Sequence, residues 1–146
     1  MSDLAISLVV VAARVSIATV FVTAALPKIA DPIAFAGVLA NYQTFPYWSW
    51  NLLAAIVPMM ELVGGTCLVL GIKTRSAAWL LLLLTLGFIV VLLRTIMHDV
   101  DVACGCFGTS ETAGRVGWPE LARDLVLAAA IGIAMVRVPK MPHRPR

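Results

Sequence analysis

Apolar residues run along this chain in four long blocks separated by short polar stretches. The first, Leu4 to Leu26, is closed by Pro27 and Lys28. The second, Leu52 to Ile72, ends around Gly71 and the basic turn Lys73-Thr74-Arg75; Ser76 to Met97 follows at once, and a fourth block runs from Trp118 or Pro119 to Val138. Each has about the 20 residues that a helix needs to cross a hydrocarbon core of about 30 Å. The pattern predicts an all-α integral membrane protein, a single four-transmembrane-helix up-down bundle over residues 1–138, with a basic tail over residues 139–146 that reads as disordered. The first block shows no small-residue cleavage site after a short apolar core, and Arg14 lies in its middle. It therefore reads as a retained helix and not as a removed signal peptide.

The polar gap after the first block is more than a linker. Asp31-Pro32 is a helix-start signal, and Ile33, Ala36, Leu39 and Ala40 recur at helical spacing. A short interfacial helix is expected from about Pro32 to Tyr42, flat against the outer leaflet and ending before Phe45-Pro46. Phe45, Tyr47, Trp48 and Trp50 before the second block, and Trp118 before the fourth, read as an outer aromatic belt.

Composition sharpens the picture. The 146 residues are 61% hydrophobic and 13% charged, against about 45–50% and about 25% in soluble domains. A chain this small keeps much of its surface exposed, so that much apolar side chain excludes a lone water-soluble globule. The net charge of +3 is too small and too dispersed for a nucleic-acid surface. It is better read as topology. Of the Lys and Arg residues outside the four blocks or at their very ends, Lys73, Arg75, Arg137, Lys140, Arg144 and Arg146 fall on one side, and Lys28 and Arg115 on the other. The positive-inside rule then places both termini in the cytoplasm and the two longer loops on the outer face of a plasma membrane.

Counting 1.5 Å per residue from the block ends places Arg14 and Glu61 near the midplane, where a lone charge costs at least about 2.5–3.5 kcal/mol and such residues usually face the bundle interior and pair. Two readings stay open: a salt bridge locking the first span to the second, or a polar centre that touches a quinone head group or relays a proton. Arg94 lies about one turn below the outer end of the third span, and Arg123 and Asp124 lie at a similar depth in the fourth. Arg94 or Arg123 can pair with Asp124, or each cation can snorkel to the headgroups. Asp124 is too short to snorkel far. Gly64-Gly65-Thr66 permits close helix approach, and Cys67, deep in the second span, reads as a packing residue.

The residues best suited to chemistry lie between the third and fourth blocks, in His98-Asp-Val-Asp-Val-Ala-Cys104-Gly-Cys106-Phe-Gly108. In extended backbone, residues i and i+2 point to one side, at the upper edge of the disulfide-compatible range, and Gly105 eases closure. Such a bridge closes almost no loop and so stabilises little. Strained or exposed bridges are the labile, exchanging ones. A redox-active dithiol is therefore the first reading, with Cys104 and Cys106 as catalytic residues of a thiol-disulfide oxidoreductase component. Thiolate formation is favoured near a cation or a helix N-terminus, and Arg94, His98, Arg115 and the start of the fourth span are available. A Cu(I) or Zn(II) site on Cys104, Cys106 and His98 or Asp99 is the alternative, although two Cys and one His leave a zinc shell incomplete. A loop staple, or two thiols without a role, is the plainest reading.

Taken in order, Phe21 to Lys28 with Asp31-Pro32, Phe35 and Tyr42 to Pro46, then Pro58 to Gly64 and Leu70-Gly71, then Cys104-Gly-Cys-Phe-Gly108 with Trp118 and Arg123-Asp124, the chain resembles the MauE-like branch of the DoxX-type four-helix membrane proteins over nearly its whole length. The resemblance implies a role in disulfide formation or electron delivery for exported proteins, beside an extracytoplasmic thioredoxin-fold partner or other membrane subunits. It maps Cys104 and Cys106 onto the family's cysteine motif, and Glu61, Arg123 and Asp124 onto intramembrane polar positions without assigned chemistry. The reading is a plasma-membrane thiol-disulfide component in contact with lipid, with a quinone as the electron route within the bilayer or none if it relays to another subunit. Its rivals are a non-catalytic anchor or assembly subunit and a Cu(I) or Zn(II) binder. A solute channel is disfavoured, because four short spans leave little lumen.

Overall fold

The computed structural model describes residues 3–98 and 116–137, and the side chains of residues 8–98 and 116–135. All regular structure among them is helical: α1 (Asp3–Ala30), α2 (Pro32–Asn41), a 3-10 turn (Tyr47–Ser49), α3 (Trp50–Leu70), α4 (Thr74–Met97) and α5 (Trp118–Arg137). Helices α1, α3 and α4 are long and apolar enough to cross a membrane. Helix α5 has comparable length, but Glu120, Arg123 and Asp124 crowd its first two turns.

The first element corrects the sequence reading. Pro27 and Lys28 do not close the helix, which continues to Ala30 with Pro27 inside it. Lys28 is therefore a helix residue and not a loop residue. At Asp31 the chain turns: its carboxylate accepts the backbone N–H of Ala34 at 2.9 Å, and Pro32 occupies the first position of α2, as an N-cap followed by proline should. Helix α2 forms where the periodicity put it, and it buries Phe35, Ala36, Val38 and Leu39 while packing on α3. Its Ile33 is 84% exposed. The return to α3 is tied by the Trp50 indole N–H, which donates to the Phe45 carbonyl at 2.9 Å.

Helix α3 ends at Gly71, whose φ of 73° takes the left-handed conformation that glycine adopts without steric cost. The Ile72 N–H closes the turn on the Cys67 carbonyl at 3.0 Å. Around the bundle, α1 packs on α3, α3 on α4, α4 on α5, and α5 returns to α1 across the thinnest of the four seams. Two apolar cores result. One joins Phe35, Leu39, Tyr42 and Ala54 to Leu92 and Leu121, and the other joins Ile17, Phe21 and Leu68 to Leu81 and Ile131. Large apolar side chains such as Leu8, Val63, Leu83, Val90 and Val126 point outward, as lipid-facing residues do.

The small residues of α3 set the register. A β-carbon on Gly65 would lie 3.2 Å from the Ala18 carbonyl oxygen, and one on Gly64 would lie 2.7 Å from Cδ2 of Leu81. Leu81 is fully buried and its Cγ would also lie within 2.9 Å, so more than the tip of the side chain must shift. Gly64→Ala is expected to cost about 1–3 kcal/mol through overpacking, read as a lowered unfolding midpoint in detergent. A midpoint at or above that of the parent protein would show that the helices separate freely at this level.

Candidate functional site: a buried cluster of charges

Helix α1 presents Ile17, Phe21, Ala24 and Lys28 on one face, and α3 presents Ala54, Pro58, Glu61, Gly65 and Leu68; these are the core-facing positions of each helix. Lys28 and Glu61 thus project into the bundle. The Lys28 ammonium donates to both Glu61 carboxylate oxygens at 2.8 Å, and the two side chains are 2% and 8% exposed. Phe35 of α2 and Phe88 of α4 flank the ammonium, with ring centroids at 5.3 and 5.5 Å, close enough for a cation–π contribution. Removing ions from water is costly even when they pair, so the bridge fixes which faces meet more than it stabilises the fold.

A second pair lies nearby on α5. Arg123 donates to Oδ1 of Asp124 through Nε at 3.1 Å and Nη2 at 3.0 Å. Asp124 is buried at the helix interface while the Arg123 side chain is 40% exposed. Both pairs line one partly open cavity of about 50 Å³, together with Val20, Phe21, Ala24, Leu84, Thr85, Phe88 and Leu127. At about 10–15 Å³ for each water, the enclosed part holds a few. Two cations face two anions, so the lining is formally neutral. Tyr42, the C-cap residue of α2, sits close by. Burial pushes its phenol well above the usual range, the Asp124 carboxylate pushes the same way, and Arg123 pulls it down. Tyr42 therefore stays a neutral hydroxyl throughout the physiological pH range.

The expected pairing of Arg14 with Glu61 is overturned. With Gly65 against Ala18, Arg14 reaches the C-terminal end of α3, where its Nη2 donates to the Leu68 carbonyl at 2.9 Å. That carbonyl belongs to the last turn of α3 and otherwise takes the Gly71 N–H at 3.4 Å, at the helix end that favours a cation. Among the described residues the Arg14 Nε has no hydrogen-bond partner. Leu68 is seven residues from Glu61, roughly 10 Å along the helix. Sequence reasoning therefore had the right carboxylate and the wrong cation. Lys28 was legible in principle, because it continues the spacing Ile17, Phe21, Ala24.

The pairing expected for Asp124 does form, with Arg123 as the partner. Arg94, in the last turn of α4, and His98, its C-cap residue, are exposed. Cys67 is half-buried and packs against the core around Leu68 and Leu81. Cys104 and Cys106 lie outside the described residues, as do Asp99 and Arg115, so the exchanging pair and the alternative metal site with His98 are not placed. Among the described residues, no three His, Cys, Asp or Glu side chains gather as a metal site.

Comparison with known proteins extends these observations. The family model described as methylamine utilisation protein MauE matches residues 6–137. The methylamine utilization protein MauE of Paracoccus denitrificans is 31% identical over 125 residues, 84% of this chain and 67% of its own length. The protein of the same name from Paracoccus versutus is 29% identical over the same shares. That from Methylophilus methylotrophus is 29% identical over 117 residues, 80% of this chain and 62% of its own length. The chain thus spans about two thirds of the length of the curated relatives it matches. No solved structure matches it.

Proposed function

The chain belongs to the MauE family, and from that premise we propose that it is a plasma-membrane thiol-disulfide component acting through Cys104 and Cys106. Residues 1–138 form its four-span bundle, α5 being the fourth span and α2 the interfacial helix on the outer side. Both termini are cytoplasmic, with the basic tail over residues 139–146 among them. The cysteine segment, on the connection from α4 to α5, faces outward and exchanges electrons with an extracytoplasmic thioredoxin-fold protein. Such exchange supports disulfide formation or electron delivery to exported proteins, and the relatives' printed name carries over the process these serve, methylamine utilisation.

The observation that carries the reading is the spacing Cys104-Gly-Cys106. A bridge there has almost no chain entropy to remove, so its use lies in being opened and closed.

Differential alkylation of right-side-out vesicles in graded glutathione buffers tests the reading. The expected result is a reversible transition of Cys104 and Cys106, accessible from outside, between about −120 and −270 mV, the span of known exchange catalysts. Thiols that stay reduced throughout, or a bridge that resists reduction below about −300 mV, would remove it.

A second reading, a non-catalytic anchor or assembly subunit, draws on a different observation. Ile33, Tyr47, Trp48, Met97 and Trp118 are all strongly exposed near the ends of helices that the charge pattern assigns to the outer side. Replacing both cysteines with serine leaves complex assembly and client activity intact on that reading and abolishes client activity on the first.

A further inference from the structure

We propose that the turn from α3 to α4, together with Arg14 of α1, binds the phosphate of an anionic phospholipid. That this end of the bundle faces the cytoplasm rests on the orientation proposed above. The site itself rests on geometry, and it uses neither the cysteines nor the buried ion pairs.

Arg14 is the residue that carries it. Its Nη2 is held on the Leu68 carbonyl at 2.9 Å, and a β-carbon on Gly71 would lie 3.2 Å from the same nitrogen, so the guanidinium lies against the start of the turn. Lys28 and Arg123 each meet a carboxylate; among the described residues Arg14 meets none. Its Nε and Nη1 have no hydrogen-bond partner among them either, and of the two only Nε is closed off. A cation within a span is costly without a counter-ion, and an anion from outside the chain lowers that cost.

The same level of the bundle gathers more positive charge. Ile17 of α1 shares a core with Ala77 and Ala78 of α4. One turn back along each helix brings Arg14 level with Thr74, the first residue of α4. The N–H groups of Thr74, Arg75 and Ser76 open that helix, and its N-cap residue, Lys73, gives them no side-chain acceptor. Such N–H groups, at the positive end of the helix dipole, suit a phosphate. Lys73 and Arg75 are exposed beside them. The described carboxylates lie elsewhere: Asp31 beyond the far end of α1, Glu61 in the middle of α3, Glu120 and Asp124 in the first two turns of α5. Asp3, on α1, is eleven residues from Arg14, roughly 16 Å along the helix.

Arg14, Lys73 and Arg75 therefore select an anionic head over phosphatidylcholine, which would bring its own cation into the cluster. The rim selects a lipid over a soluble anion. Leu70, Ile72 and Trp79, in the turn and on the helices that it joins, are each at least half exposed and offer apolar surface to acyl chains.

Titration of the full chain in dodecyl maltoside with dioleoylphosphatidylglycerol, read by native mass spectrometry as the fraction carrying a single bound lipid, tests the site. Saturable binding is expected, tighter than that of dioleoylphosphatidylcholine. A cation near a membrane surface contributes roughly a fivefold change in affinity for anionic lipid. Arg14→Met should weaken binding by at least that factor, and Lys73→Gln/Arg75→Gln by roughly 25-fold. Arg94→Gln, at the other end of α4, should leave it unchanged. The turn variant keeps the test decisive should Arg14→Met fail to fold, because Lys73 and Arg75 lie outside the packing. Equal binding of the two lipids, full affinity in the turn variant, or an equal loss in Arg94→Gln would overturn the proposal. So would displacement of the lipid by millimolar inorganic phosphate, the mark of a site for a soluble anion. None of these outcomes depends on Cys104 and Cys106 or on which side of the membrane the turn faces, so failure here is distinct from failure of the thiol-disulfide reading.

Discussion

Replacing Glu61 with alanine is expected to destabilise the bundle by about 3–5 kcal/mol, the cost of leaving one member of a buried ion pair without its partner. The Lys28 ammonium would then remain at 2% side-chain exposure with two aromatic rings and no carboxylate at contact distance. Lys28→Met should cost a similar amount, because it strands the carboxylate instead. The double variant Lys28→Met/Glu61→Met should recover most of the loss, since a buried pair replaced by apolar residues of similar volume is often neutral or stabilising. Unfolding in detergent, analysed as a double-mutant cycle, reads the coupling directly. Arg14→Met completes the experiment: combined with Glu61→Ala it should be additive, because Arg14 bonds the Leu68 carbonyl instead. Strong coupling between Arg14 and Glu61, with none between Lys28 and Glu61, would show that α1 sits against α3 in another register.

The limit of sequence reading is visible in that same trio. Depth counting put Arg14 and Glu61 near the midplane, where charges face the bundle interior, while Lys28 read as the residue that closes the first block. Which cation meets the carboxylate is a property of two helices together. It depends on the offset fixed by Gly65 against Ala18, and neither helix's own pattern carries that offset. The proline before Lys28 added to the error, since a proline at the end of an apolar run usually marks a boundary. Here it lies inside α1, and the helix stops only at Ala30, ahead of the Asp31 cap of α2.

Elements set by local chemistry were easier to read. The Asp31-Pro32 start of α2, the Gly71 stop of α3 and the long apolar helices follow from caps, a left-handed glycine and unbroken hydrophobicity. The contact of Arg123 with Asp124 is also local, being between sequence neighbours. The cavity was not legible, because its walls come from α1, α3, α4 and α5. Its residues gain their meaning only from juxtaposition: Thr85 and Phe88 read as ordinary lipid-span residues until α4 is set beside Glu61.

The largest functional effect is expected from dividing the cysteine pair. In thiol-disulfide exchange an attacking thiolate first forms a mixed disulfide with its partner, and a second thiol then resolves it. A chain with Cys104 and Cys106 both present should pass through this species too quickly to accumulate it. If Cys104 attacks and Cys106 resolves, Cys106→Ser should trap a covalent complex with the proposed thioredoxin-fold partner, seen on non-reducing gels and lost on adding reductant. Cys104→Ser should then trap none, and with the order reversed the two variants exchange results. Either way, exchange with the partner should fall in each single variant to the level of the Cys104→Ser/Cys106→Ser protein, because neither cysteine alone completes a cycle. Cys67, half-buried in the helix packing, provides the control: Cys67→Ala should leave exchange intact. Undiminished exchange in the double serine variant would sink the redox role and leave the chain as a membrane subunit whose buried charges serve assembly.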